Sequence, residues 1–258
     1  MLMSAVPQME QHYLYGVEMK IYLGSKNIKP VGFKTLDISP ECNPDIVADI
    51  TDMPQVPDES CSELIASHVL EHLCWPKSFK ALAEMARVLK VGGVLKIAVP
   101  DLRVLLRMME SHGMPFFAAG MIFGQDGENF KDQHHFGFTA EMLLQILKAL
   151  GFSDFDWWNS TLPEGANGWR AVGQEKVAIS LNIQAIKKEK PYCNPDRIYE
   201  LLKNNPLEEF ERILSLEAPA AISDAQISEP MLYQRIHFKL IDATQRIAFL
   251  EKMLDERK

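Results

Sequence analysis

The densest group of side chains capable of chemistry is the segment Ser67-His68-Val69-Leu70-Glu71-His72-Leu73. Its spacing, H-x-x-E-H, is that of zinc proteases in which two histidines on one helix face bind the ion and a third ligand follows later. The segment comes directly after an apolar run typical of a β-strand, where the chain turns towards a helix. A buried polar turn therefore explains it better than a metalloprotease site, and we expect no bound metal.

A second pair of histidines, His134 and His135, lies in the segment Asp132–Thr139. A histidine side chain gains and loses a proton near neutral pH, so it can act as a general base when the reacting group is within hydrogen-bond reach. His134 and His135 are the first candidates for a catalytic base, and His68 and His72 are the second. Exposed loop histidines without a chemical role explain the first pair equally well.

Two groups that could hold a nucleotide follow the first two predicted strands. The turn Gly24-Ser25-Lys26 contains a glycine, which lets backbone approach a ligand closely, although an ordinary turn between a strand and a helix has the same composition. Asp37 ends the second strand, where an acidic side chain in nucleotide-binding folds accepts hydrogen bonds from the ribose hydroxyls. Its two acceptor oxygens suit a vicinal diol.

A second acidic stretch, Val47–Pro54, contains Asp49 and Asp52. Either carboxylate could accept a hydrogen bond from an adenine amino group, and Ile50 or Met53 could cover the ring. Taken singly, each aspartate is explained better as a helix cap or a solvated turn residue.

β-Rich runs alternate with helical patterns through about residue 187. The runs lie at Met19–Leu23, Phe33–Asp37, Leu64–Ser67 and Val94–Val99. A helical pattern at Pro76–Leu89 separates the last two runs, and Gly92-Gly93 is expected to break this helix before the next strand. Strands joined by helices of this length predict βαβ units, a parallel sheet and right-handed crossovers.

The end of this region has a different pattern. Thr139 precedes a predicted helix at Ala140–Leu150. Two further β-rich segments, Phe152–Trp158 and Val177–Ile186, are joined by the Gly/Pro/Asn-rich loop Asn159–Gly173. Because no helix lies between them, they predict an antiparallel hairpin at the sheet edge.

Composition and charge limit the classes of function. The chain has 258 residues and a formal net charge of −8, which argues against a general nucleic-acid binder. It shows neither a basic start followed by an apolar run nor 18 consecutive apolar residues, so we expect no signal peptide, no membrane span and a soluble, cytoplasmic protein. The four cysteines form no CxxC pair, so free thiols are expected.

Ordered blocks between Lys20 and Lys187 resemble the class I methyltransferases of the type 11 group. The blocks are LGSK, the LD pair of the second strand, ADITDMP, SHVLEHL and ALAEMARVLKVGGVLKIAVPDL, and the segment Asp132–Thr139 is also similar. More narrowly, the chain is similar to predicted methyltransferases that often accompany polysaccharide genes. The resemblance implies transfer of a methyl group from S-adenosylmethionine to a small-molecule or glycan acceptor.

The resemblance also implies roles for individual residues. Gly24 and Ser25 would line the methionine part of the cofactor, Asp37 would hold the ribose and Asp49 the adenine amino group. His68 and the Glu71–His72 pair would line the pocket near the sulfonium.

Lys26 departs from the family, which usually has a glycine at this position. A β-carbon here could narrow the approach to the cofactor, or force strain if φ must be positive. Alternatively, the ammonium could pair with the cofactor carboxylate.

The predicted fold is α/β: a Rossmann-like, doubly wound, mostly parallel seven-stranded sheet with an antiparallel edge hairpin, plus a helical C-terminal extension. The expected domains are residues 1–187 and 188–258. Apolar residues of the last helix follow coiled-coil spacing, but their stripe is also wide enough to pack on the same domain. Homo-oligomer formation and intramolecular docking are therefore both open. The main alternative to an enzyme is a non-catalytic Rossmann-like scaffold that uses these helices.

Overall fold

Strands and helices alternate along the chain in a computed structural model that describes residues 18–112, 116–124, 132–160, 169–172 and 175–190. The helices are α1 (Trp75–Val88), α2 (Leu102–His112), α3 (Phe116–Phe123) and α4 (Ala140–Ala149). The strands are β1 (Met19–Leu23), β2 (Lys34–Asp37), β3 (Ile46–Val47), β4 (Cys61–Ser67), β5 (Leu89–Pro100), β6 (Phe152–Trp157), β7 (Trp169–Val172), β8 (Glu175–Ala178) and β9 (Ser180–Lys187).

Seven of these strands form one sheet in the order β3-β2-β1-β4-β5-β9-β6. The first five are parallel to one another, whereas β9 runs antiparallel between β5 and β6. The strand order reverses beside β1, which places the carboxyl ends of β1 and β4 on either side of a crevice. This architecture confirms the predicted Rossmann-like sheet and its antiparallel edge.

Two details of the predicted elements are wrong. Gly92-Gly93 does not separate a helix from a strand, because β5 begins at Leu89 directly after α1 and runs through both glycines. The pairing of β4 with β5 shifts register between Cys61 and Glu63, opposite this stretch, so the glycines accompany an irregular start of the strand. The segment predicted as a loop after β6 contains β7, which pairs with β8 in a small antiparallel sheet.

The helices α1 and α4 bury apolar faces against the sheet. Phe79, Leu82 and Met85 of α1 lie in the core against the parallel strands. α4 begins where expected, because the Thr139 side chain accepts a hydrogen bond from the Met142 amide. The sheet therefore has a firm apolar core beneath the loops that carry the polar residues.

Several predictions are tested only in part. Cys42, Cys61 and Cys74 are free thiols, as expected, while Cys193 lies outside the described residues. Residues 191–258 also lie outside them, so the domain boundary and the coiled-coil helix stay predictions. Within the described part of the chain, no helix combines the length and apolar character needed to cross a bilayer.

Candidate active site

The turn after β1 depends on a glycine. Gly24 has φ +63, and its amide donates to the Leu36 carbonyl at 2.8 Å. A Cβ on Gly24 would lie 2.6 Å from Cγ2 of Val69, which is in the turn after β4. Only glycine therefore combines this backbone conformation with such close contact between the two turns.

Asp37, at the end of β2, is buried and held by backbone. Its Oδ2 accepts from the Lys26 amide at 2.7 Å, and its Oδ1 accepts from the Ser39 amide at 2.9 Å. The residue is 7% exposed. Each carboxylate oxygen keeps a further acceptor position, so the side chain is oriented and still able to bind a hydroxyl.

Lys26 has a positive φ, which was one of the two ways in which a lysine in place of the family's glycine could disturb this turn. Its φ is +48, in the left-handed region, and its side chain is exposed. A non-glycine residue pays about 1–2 kcal/mol for this conformation. The amide of Lys26 nevertheless reaches Asp37, so the turn keeps its shape without a glycine.

The acidic stretch after β3 forms a tight turn next to β2. Asp49 Oδ1 accepts from the Thr51 amide at 2.8 Å, and the Ala48 amide donates to the Asp37 carbonyl at 3.1 Å. Asp49 is half-buried and Ile50 is buried, whereas Asp52 is exposed. The turn thus places a carboxylate and an apolar side chain beside the end of β2.

His68, directly after β4, is engaged at both ring nitrogens. Its Nδ1 lies 2.9 Å from Oε1 of Glu71, and its Nε2 lies 3.3 Å from Oγ of Ser180. The Ser180 hydroxyl donates its proton to Oδ1 of Asn182 at 2.8 Å, so it turns a lone pair towards His68. His68 therefore links the turn after β4 to β9, and its backbone has φ +51.

Glu71 joins this turn to the segment Asp132–Thr139. Its carbonyl accepts from the His135 amide at 2.7 Å and from the Phe136 amide at 3.3 Å. Glu71 is only 1% exposed, although it carries a carboxylate. Glu71 therefore connects the turn after β4 to a segment more than 60 residues later in the chain.

His72 and His134 lie against each other beside Glu71. Their ring centroids are 4.9 Å apart in an edge-to-face arrangement. The Nδ1 of His72 lies 3.3 Å from the Gln133 carbonyl, and the Nδ1 of His134 lies 2.9 Å from the Met121 carbonyl. Because a carbonyl only accepts, both Nδ1 atoms carry a proton, and in the neutral form of each ring the lone pair lies on Nε2.

Burial and neighbouring charges act in opposite directions on these groups. Burial alone would raise the pKa of Glu71, but the hydrogen bond with His68 and the charges of His68 and His72 outweigh it, so the pKa is lowered. Burial lowers the pKa of His134, and the Glu71 carboxylate only partly opposes this effect. Both shifts favour an ionised Glu71 beside a neutral His134.

Three buried polar atoms have no hydrogen-bond partner among the described residues. They are Oγ of Ser25, Oγ of Ser67 and Oε2 of Glu71. All three lie just at or after the carboxyl ends of β1 and β4, the two strands that flank the crevice. Buried polar atoms are normally paired, so this concentration fits a site that receives a polar ligand.

The structure brings most of the predicted site residues to this edge of the sheet. Nine of them follow the carboxyl ends of strands or contact the turns that do: Gly24, Ser25, Lys26, Asp37, Asp49, Ile50, His68, His72 and His134. His135 reaches the site through its backbone amide, while its side chain is exposed.

One residue with a structural part in the site, Ser180, was not predicted. Glu71 was named with His72 only through the resemblance, although its position shortly after a buried strand was a usable signal in itself. Ser180 comes from β9, which is 112 residues away from His68, and no sequence pattern links the two.

Comparisons with known proteins give one family. Residues 28–97 match a family model described as a methyltransferase domain. No curated protein matches the chain significantly.

Solved structures similar to the chain are distant. A SAM-dependent methyltransferase from Archaeoglobus fulgidus is 15% identical with a TM-score of 0.44, over 70% of this chain and 91% of the other. A 1,6-didemethyltoxoflavin-N1-methyltransferase from Burkholderia thailandensis, with 1,6-didemethyltoxoflavin and S-adenosylhomocysteine bound, is 14% identical with a TM-score of 0.42, over 70% and 76% of the two chains. Likenesses this distant carry no argument about function.

Proposed function

We propose that this chain, a class I S-adenosylmethionine-dependent methyltransferase by its family match and strand order, transfers the cofactor's methyl group to a small-molecule acceptor. In this proposal the turn Gly24–Lys26, Asp37 and the Asp49–Ile50 pair hold the cofactor. His68 and His72 line its sulfonium end, and the acceptor binds beside His134.

Asp37 is the observation that carries the cofactor site. It is a buried carboxylate at the end of β2, held by two backbone amides, with acceptor capacity left for the ribose hydroxyls. The unpartnered hydroxyl of Ser25 next to the close contact at Gly24 supports placement of the methionine part at that turn. The residues present therefore fit S-adenosylmethionine.

The bound cofactor supplies a methyl group on a sulfonium, which reacts by in-line substitution, so positioning of the acceptor provides much of the catalysis. Of the four histidines considered as a base, His134 is the best suited, because its Nδ1 is held on the Met121 carbonyl at 2.9 Å, closer than the 3.3 Å between Nδ1 of His72 and the Gln133 carbonyl. His68 is a positioning residue, because both its ring nitrogens are engaged. The exposed His135 has the weakest support.

The nature of the acceptor, the location and the oligomeric state are predicted from the sequence alone. A glycan acceptor and a link to polysaccharide synthesis come from the resemblance alone. A cytoplasmic location and self-association through the C-terminal helix likewise stay predictions.

Calorimetric titration with S-adenosylmethionine and S-adenosylhomocysteine tests the proposal. We expect micromolar binding that Asp37→Ala weakens by about 30-fold or more, since hydrogen bonds to a charged group contribute about 1.5–3 kcal/mol. Glu41→Ala is the matched control, because Glu41 is an exposed carboxylate four residues after Asp37 and should leave the affinity unchanged. Folded protein that binds neither compound would contradict the proposal and favour the scaffold alternative.

A further inference from the structure

We propose that Glu71, His72 and His134 form a binding site for a divalent metal cation of the class that takes imidazole and carboxylate ligands, such as Zn²⁺. One potential ligand atom from each of these three residues lies within 4.8 Å of the others. This set differs from the H-x-x-E-H reading of the sequence, because His134 comes from a distant segment and His68 is not a member. It also departs from our expectation that the chain binds no metal.

The two imidazoles are prepared for ligation. Each donates its Nδ1 proton to a backbone carbonyl, His72 to Gln133 and His134 to Met121, so each presents an Nε2 lone pair. Metal-binding histidines have this arrangement, in which a carbonyl or carboxylate on the other nitrogen fixes the tautomer and the ring orientation. Two such rings packed edge to face, 4.9 Å between centroids, point to a shared ligand.

Glu71 supplies an independent observation. Its Oε1 is engaged by His68, but its Oε2 is buried without a hydrogen-bond partner among the described residues. A buried, unpaired carboxylate oxygen is unfavourable unless a cation or a donor lies against it. In their neutral forms the two imidazoles nearby offer Nε2 lone pairs and not protons, and a cation then satisfies all three groups at once.

The geometry needs only a modest adjustment. Donor atoms around a tetrahedral zinc ion lie about 3.4 Å apart, given metal–ligand distances of about 2.0–2.1 Å. The three ligand atoms would therefore close from separations of up to 4.8 Å, which small side-chain rotations can achieve. Two histidines and one carboxylate form a known ligand set for divalent metals and leave coordination positions open.

An open coordination position on the metal could hold the acceptor, an inference that rests on the proposed function. Glu71 and His72 lie in the turn after β4, which contacts the glycine turn of the cofactor site through Val69 and Gly24. An acceptor with an oxygen or nitrogen able to ligate the ion would be held beside the cofactor. With an ion on its Nε2, His134 would be a ligand and no longer a proton acceptor.

The test is a titration of full-length, untagged, chelator-treated protein with Zn²⁺, followed by calorimetry, and with Co²⁺, followed by visible absorption. We expect one ion per chain with micromolar or tighter affinity. His72→Ala and His134→Ala should each weaken binding about 100-fold or more, since loss of even an outer-shell partner costs 10–100-fold. His135→Ala is the matched control and should bind as the wild type does, because that neighbouring side chain is exposed.

Equal binding by the wild type and the His72→Ala/His134→Ala double variant would overturn the site, as would absence of binding by the wild type. Titration of the same samples with S-adenosylhomocysteine keeps the two proposals separate. Wild-type protein that binds the cofactor but no zinc would reject only the metal site. Zinc binding without cofactor binding would reject the proposed function and leave the metal site standing.

Discussion

The two halves of the site are built in different ways. The cofactor half, proposed to hold the cofactor, comprises the turn Gly24–Lys26, Asp37 and the Asp49–Ile50 pair, where side-chain oxygens accept from nearby backbone amides. The acceptor half, proposed to hold the acceptor, comprises the turn Ser67–His72 and the segment Asp132–Thr139, where side chains and backbone from distant parts of the chain meet. The first half is thus fixed by local backbone geometry, and the second by long-range contacts.

This difference has a functional consequence. A cofactor half fixed by local bonds should keep its affinity when the acceptor half is altered, because few side chains are shared between them. The contact of Gly24 with Val69 is the point where the halves touch. Changes there should damage both, while changes elsewhere should affect one half alone.

The largest expected effect is that of Gly24→Ala, which strains the left-handed backbone and forces a Cβ against Val69. We expect a loss of about 2–5 kcal/mol in the free energy of unfolding, from about 1–2 for the conformation and about 1–3 for overpacking. Gly32→Ala is the matched control, because Gly32 also has positive φ but its Cβ would meet no atom within 4 Å. If chemical denaturation gives the same loss of unfolding free energy for both variants, the close contact of Gly24 with Val69 does not contribute to stability.

The next effect concerns Asp101, which anchors the acceptor half through a backbone bridge to Phe138. Burial raises the pKa of Asp101 to about 6, against opposition from the amides of Val104 and Arg103. The folded protein therefore binds this proton more tightly than the unfolded chain, and stability should fall by about 2–3 kcal/mol as pH rises from 4 to 7.

Asp101→Asn keeps an acceptor for the two amides and should abolish this contribution to the pH dependence. Between pH 4 and 8, the unfolding free energy of the variant should therefore change less with pH than that of the wild type. The variant should be more stable than the wild type above pH 7. If the unfolding free energy of the variant depends on pH as strongly as that of the wild type, burial does not raise the pKa of Asp101.

A smaller effect is expected for Glu71→Gln, which removes the charge that faces His68. We expect a loss of about 1–2 kcal/mol in unfolding free energy, the difference between a charge-assisted and a neutral hydrogen bond in a buried site. Glu63→Gln is the comparison, because its partners Lys20 and Lys96 are partly exposed and such pairs contribute about 0–1 kcal/mol. A larger loss for Glu63→Gln would contradict the central place given to Glu71.

The smallest effect is expected for Lys26→Gly. Relief of the left-handed strain and the greater freedom of glycine in the unfolded chain nearly cancel, so stability should change by less than about 1 kcal/mol. Because the Lys26 side chain is exposed and its amide already binds Asp37, cofactor affinity should change by less than about threefold. A large gain in affinity, measured by calorimetry, would show that the lysine obstructs the cofactor.

The cofactor half could be predicted from sequence for a physical reason. Strand ends are visible as apolar runs, and Asp37 and Gly24 lie at such ends, where parallel strands present their loops together. The alternation of strands and helices also predicted the parallel sheet, and the missing helix after β6 predicted the antiparallel edge.

The acceptor half could be predicted only as a set of residue types. His134 and Glu71 were visible as histidine and glutamate in suggestive segments, but the contact between those segments depends on tertiary packing. The glycine pair in β5 misled for a related reason, because a glycine pair marks a helix end and an irregular strand equally well. β7 was missed because its residues lie in a segment rich in turn formers.

The affinity for S-adenosylhomocysteine of two variants tests most directly whether the halves are separate. The His72→Ala/His134→Ala double variant should bind within about threefold of the wild type, whereas Asp37→Ala should lose about 30-fold or more. The reverse result, with the double variant impaired and Asp37→Ala unaffected, would contradict the assignment of the cofactor to the turns after β1 and β2.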